Sequence, residues 1–358
     1  MAALRRCTAW TLCALLLTLV LTANLFLTAL DTRVYAGESA PLFPTAVESA
    51  RALESEPPDL ETITLNFVGD VMAASLFGNS YWGSFNLFAK ETDPSYFFAE
   101  MADLFQNDDL TVANCENVFT DRDLHGVGKN YTPAYWYKAP TSFVEILRLG
   151  GIEAVSIANN HIYDYGTDGR EDTIAALEER GILWGDDTHT LYFEKYGVRL
   201  AFLCTTITSG GYTEVWDKLE AAKSESDFQI VCFHGGVERT YDIDPIIEKV
   251  CHDLVFAGAD LIIGHHPHVL KPIDVYYGVK IVYSLGNFLF GGGLGDAETA
   301  VYQLELLVSG GQILEANDRV IPARCYTAEH KWQPALETDP EKAQRIIEFL
   351  YMVRETPK

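Results

Sequence analysis

The stretch Gly258 to Val269, G-A-D-L-I-I-G-H-H-P-H-V, constrains this chain more than any other. Its apolar run, Leu261 to Ile263, is too short for a helix and is bounded by turn residues. It therefore reads as a buried strand that empties at Gly264 into a histidine-rich loop. His265, His266 and His268 crowd that loop, in a chain with 9 histidines. Pro267 fixes its own φ between the last two, so their spacing is held without further ordering cost. Taken singly, each imidazole reads as a polar loop group bonded to water. Crowded at one strand exit, they suit a transition metal.

The same arrangement recurs along the chain. Ile63, Leu65 and Phe67 alternate with Thr64 and Asn66 before Gly69-Asp70. Leu110 to Ala113 ends at Asn114-Cys115-Glu116, Ala154 to Ala158 delivers Asn159-Asn160-His161, and Phe228 to Phe233 ends at His234-Gly235-Gly236. Between these strands the pattern predicts helices. One starts at Asp93-Pro94, one at a Ser142/Glu145 capping box, one runs from Asp168 to Arg180, and one runs from Asp244-Pro245 to Gly258. Leu191 to Leu203 reads as a hairpin around Gly197, Ile281 to Leu285 and Val301 to Leu307 as strands, and Asp339-Pro340 as the cap of a terminal helix. Strand and helix alternation predicts an α/β fold with a largely parallel arrangement, whose ligands gather outside the carboxyl ends of the strands. Alone, Asp70 reads as a turn or cap residue, Asn160 as a turn residue and His234 as a core histidine. Five such exits converging on one edge point to a metal site.

The N-terminus has a different character. Arg5 and Arg6 precede an uncharged apolar segment from Cys7 to Leu30, long enough at about 1.5 Å per residue to cross a hydrocarbon layer of about 30 Å. The expectation is an uncleaved signal anchor over 1–30, with the arginines cytoplasmic and the rest of the chain extracytoplasmic on a single-pass membrane protein. Residues 31–61, with Pro41, Pro44, Pro57 and Pro58, read as a solvated linker. The folded domain is placed at 62–330 and a C-terminal helix packed on it at 331–358. Net charge is −25, which excludes a nucleic-acid partner and repels polyanions unless the site carries positive charge of its own, for which a bound metal is the obvious source. Of 7 cysteines two lie in the apolar segment, and the rest, with no C-x-x-C spacing, form no disulfide framework.

Six stretches then carry a resemblance. Gly69-Asp70-x-Met72, Asn114-x-Glu116, Ala158-Asn159-Asn160-His161-x-x-Asp164-x-Gly166, His234-Gly235-Gly236-x-Glu238, Gly264-x-His266-Pro267-His268-Val269 and Tyr283-Ser284-Leu285-Gly286-Asn287-Phe288 resemble, in order, the CapA family of poly-γ-glutamate capsule proteins. That family is related to the calcineurin-like metallophosphoesterases, so the resemblance implies a sandwich of two mixed sheets flanked by helices. It implies one or two divalent ions (Mn, Fe or Zn): Asp70 and His268 on one, Asn160, His234 and His266 on the other, and Glu116 between them. It implies His161 as a general acid oriented by Asp164, and Glu238 and Asn287 as substrate contacts. The phosphoesterase D-x-H is here Asp70-Val71-Met72, so the first ion loses a nitrogen ligand.

Two functional classes stay open on the sequence. One is a metal-dependent hydrolase or transferase acting on an anionic envelope polymer or its phosphorylated precursor. The other is a non-catalytic subunit that binds nascent poly-γ-glutamate beside a membrane synthase. No G-x-S-x-G elbow, P-loop or dinucleotide fingerprint offers another mechanism.

Overall fold

Period-two alternation builds two sheets with a common core. In the strand Val198–Ile207, Leu200, Phe202 and Cys204 face inward, while Ala201, Leu203 and Ile207 face outward. Ile230 and Cys232 in Phe228–Gly235, and Leu261 and Ile263 in Leu261–His265, repeat that inward series. The computed structural model describes residues 59–130, 133–207, 214–292, 297–327 and 330–352. The expected anchor over 1–30 and almost all of the linker lie outside the described residues. Among the described residues no helix is long and apolar enough to cross a membrane.

One sheet runs in the order Ala335–Leu336, Gln312–Arg324, Glu298–Ser309, Glu61–Met72, Leu110–Cys115, Ala154–Ser156, Leu183–Gly185, with Asn287–Phe290 also paired to Glu61–Met72. A second large sheet runs Leu270–Tyr276, Val279–Leu285, Leu261–His265, Phe228–Gly235, Val198–Ile207, Leu191–Lys195, and a small third one joins Ser75–Leu76, Tyr137–Ala139 and Val118–Phe119. Both large sheets are mixed: Glu61–Met72 pairs parallel with Leu110–Cys115 but antiparallel with Glu298–Ser309. The inner faces share one core, in which Phe67 meets Phe202 at 6.3 Å and Tyr302 at 6.4 Å between ring centroids. Helices cover both outer faces: Val144–Leu149 and Gly166–Glu179 on the first sheet, Glu214–Ala222 and Pro245–Ala257 on the second. The terminal helix Pro340–Leu350 packs Ile346 and Leu350 into the shared core.

The helix read from Asp244 to Gly258 forms with both its caps. Asp244 accepts from Ile246 N at 2.8 Å, and Gly258 closes that helix at φ 108°. The hairpin at Gly197 forms as expected, Leu191–Lys195 pairing antiparallel with Val198–Ile207. Two expectations are corrected. No capping box forms at Ser142, because a 3-10 turn, Thr141–Phe143, precedes Val144–Leu149 and Glu145 instead pairs with Arg148 at 2.7 Å. The segment after Asp93-Pro94 is two 3-10 turns and the short helix Ala102–Phe105. Phe97 and Phe98 are both buried, one against Phe85 and the other against Phe288, and adjacent rings with different partners cannot share one helical stripe.

Candidate metal centre

Strand register brings the first polar groups together. Asp70 lies beside Asn114 on one side and Asn287 on the other, and His234 lies beside His265 on the second sheet. Asn114 and Glu116 continue the inward series of Leu110 and Val112, and His234 and His265 continue those of Cys232 and Ile263. Asp70 does not follow its own series by counting. The register slips between Phe67 and Asp70, and Val71, which extends the odd-numbered series, lies in the outer core instead. Gly69 makes the slip possible: a Cβ there would stand 2.0 Å from Gly286 O, and the next amide, Asp70 N, donates to that same oxygen at 2.9 Å.

Asp70 is fully buried and surrounded by donors. Asn114 Nδ2 donates to its Oδ1 at 2.8 Å, His268 Nδ1 lies 3.1 Å from its Oδ2, and His265 Nδ1 lies 3.5 Å from its Oδ1. Burial alone would raise its pKa, but the neighbouring imidazoles of His265 and His268 hold it well below the usual carboxylate range. His268 responds in the opposite sense. Burial disfavours its cation, yet Glu116 and Asp70 outweigh that and push it up to about 9. Its Nδ1 also lies 3.0 Å from Asn287 Oδ1, which leaves Nε2 facing Glu116 at 3.9 Å.

Glu116 is the group that most requires a partner. Both its carboxylate oxygens are buried without a hydrogen bond, while His234 Nε2 stands 3.6 Å and His161 Nε2 3.9 Å from Oε1. Burial raises its pKa well above the ordinary range, opposed by His268 and reinforced by Asp70 and Glu238. A buried carboxylate ringed by imidazoles and lacking hydrogen bonds fits a cation. His266 Nδ1 and His265 Nδ1 are likewise buried without a hydrogen-bond partner. Two compact donor sets result, Glu116 with His266 and His268, and Asp70 with Glu116 and His234. Both contain Glu116, as the resemblance implies, but they cross the division of the histidines it suggests.

The remaining histidines are fixed by their neighbours. His234 receives Asn114 Nδ2 at 3.2 Å on Nδ1 and places Nε2 2.7 Å from Asn160 Oδ1. Burial, then the imidazole of His266, holds it neutral, well below the ordinary histidine value. His266 and His268 adopt φ of 98° and 59°, left-handed backbone that branched or bulky residues avoid and that costs about 1–3 kcal/mol each. Arg239 N donates to Pro267 O at 2.8 Å and pins the loop between them. Asn160 is exposed at the rim, as is Glu238. Met72, where the phosphoesterase pattern has histidine, is buried in the outer core with Phe85 and Phe97.

His161 also approaches Glu116 Oε1, at 3.9 Å from its Nε2. Its Nδ1 donates to Asp164 Oδ2 at 2.7 Å, and burial lowers its pKa despite that carboxylate. Asp164 in turn accepts from Tyr137 N at 2.8 Å, and Lys129 Nζ lies 2.6 Å from its other oxygen. Asn159 braces the loop, donating to Cys115 O at 2.8 Å and accepting from His161 N at 3.1 Å.

The structure thus brings Asp70, Glu116, Asn160, His161, Asp164, His234, His266, His268 and Asn287 to one place, with Glu238 at its edge. Sequence reasoning gave no role to Asn114, Asn159, Lys129 or Tyr137, and counted His265 only among the histidines crowding the loop. Asn114 and His265 were legible by parity, two residues before Glu116 and after Ile263. Lys129 had no local signal, since its loop is tied to Asp164 only in three dimensions.

Two mixed sheets with helices outside and a histidine-carboxylate cluster at their shared edge define an α/β protein with a candidate metal centre. Residues 64–292 match the family described as bacterial capsule synthesis protein PGA_cap, and the chain belongs to that family. It is 29% identical over 285 residues to the PGA biosynthesis protein CapA of Bacillus subtilis, covering 72% of each chain. It is 30% identical over 285 residues to the capsule biosynthesis protein CapA of Bacillus anthracis, covering 71% of this chain and 66% of that one. Among solved structures it is similar to a hypothetical protein from Thermus thermophilus, with a TM-score of 0.46, 16% identity and coverage of 73% of this chain and 99% of that one. A novel phosphatase from Mycoplasma pneumoniae gives a TM-score of 0.44 at 13% identity, covering 74% and 94%.

Proposed function

We propose that this chain takes part in synthesis or export of a poly-γ-glutamate capsule polymer, through a divalent transition-metal site of calcineurin-like metallophosphoesterase type, from a domain anchored outside the cell membrane. Family membership and the names of the two Bacillus relatives support the polymer; the observation that carries the metal is Glu116, a buried carboxylate without a hydrogen bond among imidazoles. Asp70, Glu116, Asn160, His234, His266 and His268 would hold one or two ions of Mn, Fe or Zn. Such an ion supplies positive charge and a Lewis acid in an otherwise acidic protein. The chain's own residues do the rest: Asn287 and Asp70 hold His268 with Nε2 free, Asn114 holds His234, and Asp164 holds His161. The partners in this reading are a membrane synthase and the nascent polymer, reached by way of the anchor at 1–30.

The test is a strain carrying His266→Ala at wild-type protein level. Loss of surface poly-γ-glutamate is expected; normal polymer would sink the reading. Protease added to intact cells should remove the domain, and a mature chain free in the medium would overturn the anchor.

A second reading, catalysis of phosphoester hydrolysis on another envelope substrate, is favoured by the His161–Asp164 contact, which leaves His161 Nε2 directed at Glu116. In that reading His161 acts as a general acid, and its loss costs about 10² to 10⁴ in rate. His161→Asn tests it: loss of phosphoester hydrolysis by the purified chain with metal retained and capsule normal indicates catalysis on another substrate, and absence of any such hydrolysis in the wild-type chain would sink this second reading.

A further inference from the structure

On the outer side of the second large sheet, the helix Pro245–Ala257 and the strand Leu270–Tyr276 meet through their side chains. Glu248, His252 and Phe256 recur every four residues along the helix and so share one stripe. On the strand Ile273 enters the shared core, so Asp274 and Tyr276 point the other way, toward that stripe. The two rows interlock. His252 stacks flat on Tyr276, with ring centroids 3.7 Å apart and 4° between planes, and Phe256 meets the same ring edge-on at 5.5 Å. His252 Nε2 then stands 3.1 Å from Asp274 Oδ2. Glu248, His252 and Asp274, all half-buried, each bring one donor atom within 4.8 Å of the others.

Taken alone, the contact of His252 with Asp274 is a half-buried ion pair. Glu248 changes that, because it brings a second carboxylate to one imidazole, and two carboxylates this close repel each other unless a cation lies between them. The buried thiol of Cys251 registers both: burial, then Asp274 and Glu248, raises its pKa well above the ordinary value. One imidazole nitrogen and two carboxylate oxygens are donors that zinc accepts, at bonds of about 2.0–2.2 Å. Two such bonds span at most about 4.4 Å, so a small rotation of the Glu248 side chain closes the set around one ion. The stacking on Tyr276 already fixes the imidazole plane, so little side-chain freedom is left to lose when the ion binds.

We propose that Glu248, His252 and Asp274 form a second metal site, separate from the candidate centre, which takes zinc on three protein donors and water and clips the helix to the strand. Among the described residues Leu270–Tyr276 ends its sheet, paired with Val279–Leu285, so the clip secures an edge strand from its outer face. Both clipped elements run from the candidate centre. The strand begins two residues after His268, and Ile246 and Ile247 at the start of the helix line a cavity shared with His234 and His266. The ion therefore stiffens the framework behind the histidines without touching them, and its binding adds to folding stability. Open on one side, the site fills from added zinc and is read by titration.

The experiment is calorimetric titration of the chelator-treated, full-length chain with Zn²⁺. His252→Phe keeps a ring on Tyr276 but removes the nitrogen, Asp274→Asn keeps the shape but removes the charge, and Glu116→Gln alters the candidate centre alone. The wild-type chain should take up one zinc that His252→Phe and Asp274→Asn each lose or bind at least about tenfold more weakly, and Glu116→Gln should retain that zinc. Wild-type uptake in either of the first two variants would overturn the site. Loss of the same zinc in Glu116→Gln would also overturn it, by placing the ion in the centre. Excess zinc should raise the thermal unfolding temperature of Glu116→Gln but not of the double variant Glu116→Gln/His252→Phe, and an equal rise in both would overturn the clip.

Discussion

Lys129 Nζ lies 2.6 Å from Asp164 Oδ1, and the other oxygen of that carboxylate holds His161 Nδ1 at 2.7 Å. Both charged side chains are nearly removed from water, at 10% and 0% exposure. Lys129→Met would strand a buried carboxylate, so destabilisation of about 3 kcal/mol is expected. Adding Asp164→Asn should restore most of it. Urea unfolding of the single and double variants measures this, and a double variant no better than the single one would show that the pair does not act as a unit.

Metal retention should separate ligands from neighbours. His266→Ala and Glu116→Gln each remove a donor from the centre and should lower bound metal severalfold in purified protein. His161→Asn should leave it near the wild-type level. Elemental analysis decides, and full metal content in His266→Ala would mean that these histidines serve the fold alone.

Metal binding should release protons. Without metal, His268 is pushed up to about 9 and Glu116 lies well above its ordinary range, so the cluster holds at least one proton at pH 7 that a divalent ion must displace. Affinity should therefore rise from pH 6 to about pH 9 and level off above. In the chelated protein the sign for stability is opposite. A His268 pKa raised from 6.5 contributes stability that is fully present below pH 6.5 and lost as pH rises through about 9. Thermal unfolding with and without chelator across that window checks both, and an affinity independent of pH would exclude proton displacement.

Away from the site, Glu153 accepts Thr111 N at 2.9 Å, and burial raises its pKa from 4.5 to about 7. Its contribution to stability is present below pH 4.5 and lost as pH rises through about 7. Glu153→Gln keeps an oxygen for Thr111 and carries no charge. At pH 8 it should be more stable than wild type by about 1 kcal/mol, after allowance for solvent screening. At pH 4.5 the two should coincide, and equal stability at both values would show that Glu153 is effectively solvated.

Much of the architecture was legible because short apolar runs ending in polar groups can hardly be anything but buried strands. Leu261 to Ile263 with His265 to His268, and Phe228 to Phe233 with His234, lie in neighbouring parallel strands. Where local chemistry was complete, as at Asp244 with Gly258, the helix formed as read. It failed at Ser142, where a 3-10 turn comes first and Glu145 pairs with Arg148, and after Asp93, where the adjacent buried rings Phe97 and Phe98 bind different neighbours and tertiary packing overrides the local signal.

By itself the sequence determined that Glu116, His234 and His265 could reach the site, because side-chain alternation and strand length depend on neighbours in the chain. Only the tertiary structure decided what each does there. The slip at Gly69 that turns Asp70 inward depends on an oxygen of Gly286, more than two hundred residues away. The isolation of Glu116 depends on three histidines from three separate segments, and the pairing of Asp164 with Lys129 on a loop with no periodicity. Burial and charge are sums over everything nearby in space, so protonation and partnership at this centre could not be read along the chain.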